Sequence, residues 1–139
     1  MKIPKLSIII PVYNAEKYIE RTLNSILNQT FQDFEIILIN DASSDSTLNI
    51  ISKYVKSDKR IILLNNFENM GTGASRNKGI LYSAGKYIGF VDNDDWVEED
   101  YFEKMIEKIE EDEAEICVSL KIKNNTKNKI KTHLIEKND

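Results

Sequence analysis

The sequence predicts an α/β fold, an open and mostly parallel sheet with helices on both faces. Two observations carry that prediction. Strand-length runs of aliphatic, largely β-branched residues are nearly continuous rather than alternating, as expected of strands buried on both faces. Between them lie segments whose apolar residues recur at helical spacing. A third observation points to where function sits. Three of these runs end in polar clusters (Tyr13-Asn14, Asp41 to Thr47, and Asp92 to Asp95), and open α/β sheets bind ligands beyond the carboxyl ends of their strands.

In chain order, the first strand is Leu6 to Val12 and ends at Pro11-Val12-Tyr13-Asn14. Ile19, Leu23, Ile26 and Leu27 share one face of the helix that follows. The second strand, Phe34 to Ile39, ends at Asn40-Asp41; Ile50, Ile51, Tyr54 and Val55 then form the next helical stripe. The third strand is Arg60 to Leu64, followed by a weakly periodic helix over Ala74 to Ala84. The fourth strand, Tyr87 to Val91, runs into Asp92, and Phe102, Met105, Ile106 and Ile109 make the stripe of a fourth helix. Ile116 to Ile122 is a weaker fifth strand. The alternation argues for helices packed on both sides of one sheet, with right-handed crossovers. The domain is therefore read as residues 1–122. Lys123 to Asp139, rich in Lys and Asn, reads as a polar loop or tail, with His133 solvated and the Asn124-Asn125-Thr126 sequon without a role.

A length of 139 residues suits one domain, and a 41% hydrophobic share makes a single core feasible. The net charge of -4 argues against nucleic acid as a partner, which needs a basic face. The single cysteine, Cys117, lies in an apolar run and reads as a core thiol; no disulfide framework fits a reducing compartment. Leu6 to Val12 is too short to span a membrane, and no signal peptide is legible. A cytoplasmic location follows, free or at the inner face of the membrane.

The acidic cluster Asp92-Asn93-Asp94-Asp95 is the strongest chemical signal. Three carboxylates lie within four residues, and each like-charged pair at about 4 Å costs roughly 4 kcal/mol at an effective dielectric of about 20. A divalent cation offsets that repulsion, and Mg²⁺ and Mn²⁺ suit oxygen ligands shared between carboxylates and substrate phosphates. The competing reading is an acidic helix start, since Glu98, Glu99 and Asp100 follow. All five glycines fall between Gly71 and Gly89. Gly71 and Gly73 can open a turn into a helix whose free N–H groups would face an anion. Arg76 adds a planar fork suited to phosphate, and Gly79 permits close helix–sheet approach. The spacing is neither a dinucleotide fingerprint nor a P-loop. Asp41 can accept from ribose hydroxyls or a base N–H, or cap a helix. Ser44 and Asp45 read as caps for the next helix, and Asn14 as an N-cap in its own right.

Taken together, these residues resemble family 2 glycosyltransferases. The resemblance rests on Ile9-Ile10-Pro11-Val12-Tyr13-Asn14, Ser25 to Phe31, Glu35 to Asp41, Ser43 to Thr47, Asn69, Gly71, Arg76-Asn77, Gly79, and Gly85 to Trp96, in that order. It implies a GT-A fold, a three-layer α/β/α Rossmann-like domain, here the N-terminal part of a longer enzyme. It implies a nucleoside-diphosphate-sugar donor, UDP-linked by family weight, and a glycan or lipid-linked acceptor. Pro11, Tyr13 and Asn14 would line the nucleotide, Asp41 the base or ribose, and Arg76 the diphosphate. The D-x-D motif falls on Asp92 and Asp94, with Mn²⁺ or Mg²⁺ on Asp94 foremost, and Asp95 would hold the donor sugar or the loop. Inverting hexosyl or N-acetylhexosaminyl transfer in glycan biosynthesis is the implied reaction, with its general base outside this chain. A nucleotide-binding module without transferase activity is the alternative. A phosphotransfer enzyme would place its aspartate after the first strand, where this chain has Pro-Val-Tyr-Asn.

Overall fold

A computed structural model describes residues 2–122 and 129–137, with the side chains of 118–122 and 129–133 left aside. The sequon and the side chain of His133 lie outside the described set. The elements are β1 (Leu6–Val12), α1 (Ile19–Leu27), β2 (Phe34–Asn40), α2 (Thr47–Ser57), β3 (Ile61–Asn65), α3 (Thr72–Tyr82), β4 (Tyr87–Phe90), α4 (Tyr101–Glu111), β5 (Ile116–Ile122) and β6 (Lys129–Glu136). They build one six-stranded sheet in the order β3-β2-β1-β4-β6-β5. β1, β2, β3 and β4 pair in parallel. β6 runs antiparallel between β4 and β5.

The continuous apolar runs are explained by burial on both sides. Alternate residues of β1 point to opposite faces. Leu6, Ile8, Ile10 and Val12 pack with the apolar stripes of α1, α2 and α4. Ile9 joins Ile37, Ile39 and Ile88 beneath Ile80 of α3. The three-layer α/β/α arrangement is thus present, with α3 facing the other three helices across the sheet. No helix among the described residues is long and apolar enough to cross a membrane.

The weak periodicity of α3 has a physical reason. It contacts the sheet through Gly79, where a Cβ would stand 2.5 Å from Ile9 Cγ2 and 3.0 Å from Ile39 Cδ1. Close approach replaces a wide apolar stripe. Gly79→Ala gains about 1 kcal/mol of helix propensity but overpacks a stiff β-branched side chain at about 1–3 kcal/mol. A lowered urea midpoint is the expected outcome; a raised one would show that α3 can move away freely.

The expectation of a loop over 123–139 needs correction. Lys129–Glu136 form a strand, pairing Tyr87 with Glu136 and Gly89 with Leu134. Leu134 is fully buried, and its Cδ2 lies 3.0 Å from where a Gly89 Cβ would be. Cys117 is only partly buried; burial, together with the charge of Asp112, raises its pKa.

Candidate functional site at the switch point of the sheet

The chain order reverses beside β1. β2 and β3 are laid down on one side, and the crossover through α3 returns to place β4 on the other. The crevice between the ends of β1 and β4 is therefore the topological switch point, the usual ligand position in such sheets. Pro11 belongs to this crevice from below. It is buried in β1, and its missing N–H falls on the side from which β4 has departed, the β1–β4 register ending at Ile9 and Phe90. Its carbonyl accepts from the Asn93 side chain at 3.1 Å. Tyr13, just beyond, is 48% exposed.

Asn14 does not cap α1, which begins five residues later at Ile19. It adopts a left-handed φ of 46°, and its Oδ1 accepts from the amides of Ser44 and Asp45 at 2.8 and 3.4 Å. Its own N–H donates to Ser43 Oγ. The two loops clasp each other further: Ala15 N–H donates to Thr47 Oγ1, Glu16 N–H to Asp45, and Ser46 N–H to Glu16. Asp45 is not the N-cap of α2, which is Ser46; it stands one residue earlier and accepts from the Thr47 amide at 2.9 Å. Ser44 caps nothing and serves Asn14 instead.

Asp41 is 3% exposed. Its Oδ1 accepts from Asn66 Nδ2 (2.8 Å) and the Met70 amide (2.9 Å), and its Oδ2 from the Gly71 amide (2.9 Å). Burial raises its pKa, but these bonds and the Ser75 hydroxyl outweigh burial and hold it below its ordinary value. The amides of Met70 and Gly71, just before α3, are thus engaged by an anion of the protein itself. Gly71 precedes α3 with φ 87°, a conformation that favours glycine. A carboxylate has about four lone-pair sites, so a nucleotide donor at Asp41 would be an addition to this set.

Arg76 and Asp92, distant in sequence terms, meet. Arg76 Nη2 donates to Asp92 Oδ1 at 2.8 Å, with both side chains about half exposed (40% and 53%). The guanidinium lies 5.8 Å from the centre of the Phe90 ring. Its Nε is buried without a hydrogen-bond partner among the described residues. Asp94 is exposed and Asp95 half-buried. Burial, then the charges of Asp94 and Asp92, push Asp95 up to about 6, with Arg21 opposing. No group of three or more metal-ligating side chains is assembled among the described residues. An ion that shares its shell with substrate phosphates needs only one or two carboxylates; Asp92 and Asp94 are two exposed carboxylates in the segment after β4.

Sequence reasoning missed Arg21 and Thr22. Arg21 Nη2 donates to the Asp94 carbonyl at 2.9 Å. The available signal was a polar stripe at Thr22, Ser25 and Gln29 beside the apolar one on α1.

The sheet order and its helical layers are those of a GT-A domain, and solved structures share them. Residues 1–349 of Staphylococcus aureus TarS, in complex with UDP-GlcNAc, superpose with a TM-score of 0.80 at 30% identity, over 90% of this chain and 37% of that one. A mannosyltransferase from Pyrobaculum calidifontis, in complex with GDP-Man and Mn²⁺, shares the fold at 23% identity and a TM-score of 0.63, over 67% of this chain and 28% of that one. The family profile for glycosyl transferase family 2 matches residues 7–138, and the chain belongs to that family. The putative glycosyltransferase EpsH of Bacillus subtilis is 45% identical over 106 residues, 76% of this chain and 30% of EpsH. The chain spans well under half the length of the curated relatives it matches.

Proposed function

We propose that the protein transfers a sugar from a nucleoside-diphosphate sugar, in the first instance a UDP-sugar, to a hydroxyl of a glycan or lipid-linked acceptor, with inversion. The observation that carries this reading is the pairing of Arg76 with Asp92 beside exposed Asp94, at the switch point of a family 2 domain. The UDP-GlcNAc complex of TarS supports the choice of donor. Asp94 and Asp92 would hold Mn²⁺ or Mg²⁺, which when bound neutralises charge developing on a departing diphosphate. Arg76 offers its partly exposed guanidinium to the same diphosphate, adding a fixed positive charge where negative charge accumulates. Tyr13 presents an exposed ring at the nucleotide end of β1. Asp41 keeps the β3–α3 loop shaped beside it. The proposed site of action is the cytoplasmic side of the cell, where nucleotide-linked donors and lipid-linked acceptors meet. Calorimetric titration of UDP into this chain, with Mn²⁺ and then with excess chelator, tests the reading. Binding that requires the metal is expected; equal heats in both conditions would remove the metal from it.

A further inference from the structure

The segment from Val91 to Asp100, which carries the acidic cluster, has no helix or strand of its own. Its backbone groups need partners from elsewhere, and α1 supplies them in sequence. Thr22 Oγ1 lies 2.6 Å from the Asp95 carbonyl and 3.0 Å from that of Asn93, and its one proton can serve either. Arg21 donates to the Asp94 carbonyl. Ser25 Oγ accepts from the Val97 amide at 3.2 Å. Gln29 donates to the Glu98 carbonyl at 2.5 Å and accepts from the Phe102 amide at 3.0 Å. Thr22 is fully buried and Gln29 is 3% exposed. Thr22 and Ser25 lie on α1, and Gln29, two residues past its end, continues their three-and-four spacing, so one side of α1 and the turn after it hold the loop.

Burial of a Thr and a Gln beside Ile19, Leu23 and Ile26 costs free energy unless both are fully bonded. Apolar residues there would pack as well against the core and leave the loop unheld. We infer that Thr22, with Ser25 and Gln29, is a positioning residue for the acidic loop. Its hydroxyl, with one proton for the Asp95 carbonyl at 2.6 Å and the Asn93 and Tyr18 carbonyls farther off, ties the backbone next to Asp94 to α1, and so sets where the Asp92 and Asp94 carboxylates point. None of the three needs to touch the nucleotide. The inference rests on the donor-site reading above, and it adds a frame to that site: the polar stripe of α1 sets the loop's geometry before any ligand arrives.

The test uses the whole chain with UDP and Mn²⁺ as probes. Thr22→Val keeps the shape and removes the hydroxyl; Thr22→Ser keeps the hydroxyl. Outer-shell changes around metals typically cost about 10–100-fold in affinity. Thr22→Val should therefore weaken Mn²⁺-dependent UDP binding about tenfold or more, leave UDP binding in chelator unchanged, and speed amide exchange at Asp95 to Val97. Thr22→Ser should restore all three. Should the valine variant fail to fold, Ser25→Ala, at a half-exposed position, carries the same expectation through Val97. The two possible failures separate cleanly. An unaltered chain that binds UDP in neither condition refutes the donor-site reading, and one that binds it equally in both removes the metal and with it the positioning role. An unaltered chain that binds UDP better with Mn²⁺, with a folded Thr22→Val that matches it, refutes the positioning role alone.

Discussion

Asp94→Ala is expected to abolish metal-dependent UDP binding. Asp94 is exposed and its carboxylate has open space for an ion, whereas Asp92 already shares its charge with Arg76. Removing it takes away the several kcal/mol that a bound cation gives to phosphate-charge stabilisation, about 100-fold or more in affinity. Its folding cost is small, within about 0.5 kcal/mol, because an exposed side chain is removed and a like-charged neighbour of Asp95 goes with it. Paired calorimetry and urea denaturation check both halves. A variant that binds UDP in Mn²⁺ as tightly as the parent would take Asp94 out of the ligand set.

Asp41→Asn is expected to act on stability, by about 2–4 kcal/mol at pH 7. The amide keeps one acceptor oxygen but turns an NH₂ group toward the N–H donors that Asp41 now receives. The loss has a pH signature. The folded-state pKa of Asp41 lies below its unfolded value, so its contribution is complete above the unfolded value of about 4 and drains as pH falls through the folded one. The gap between parent and variant, measured by urea denaturation, should be widest near neutrality and narrow on acidification to pH ~3. A gap that stays constant with pH would mean that the ionised carboxylate is not what holds the loop.

The parallel half of the sheet was legible because β1, β2 and β4 are buried on both faces and their sequences therefore run apolar without interruption. β6 was not, although Ile130, Thr132 and Leu134 alternate with Lys129, Lys131 and His133. That alternation is the pattern of a strand buried on one face, and a reading tuned to continuous runs passes over it in a lysine-rich stretch. α3 was faint for the reason given by Gly79: contact through a missing side chain leaves no hydrophobic stripe. At the site, the acidic cluster and Arg76 were visible as residue types, but their 2.8 Å contact follows from the crossover through α3 and not from local sequence. Asp41 was visible as a carboxylate at a strand end; that its partners would be Asn66 and the loop amides depends on how β2 and β3 align. Arg21 and Thr22 act through backbone carbonyls of a distant loop, and a carbonyl carries no residue-type signature.

The placement of β6 also bears on how the molecule is made. A ribosome delivers β1, β2, β3 and β4 in an order that lets each pair with a strand already present, but the far edge of β4 finds its neighbour only when residues 134 to 136 emerge, more than forty positions later. Until then the strand that leads into Asp92 has one bare edge, and Gly89 beside it offers no side chain to shield the gap. The parallel half of the sheet is thus complete before the antiparallel cover of β4 exists, with an open β edge in the interval.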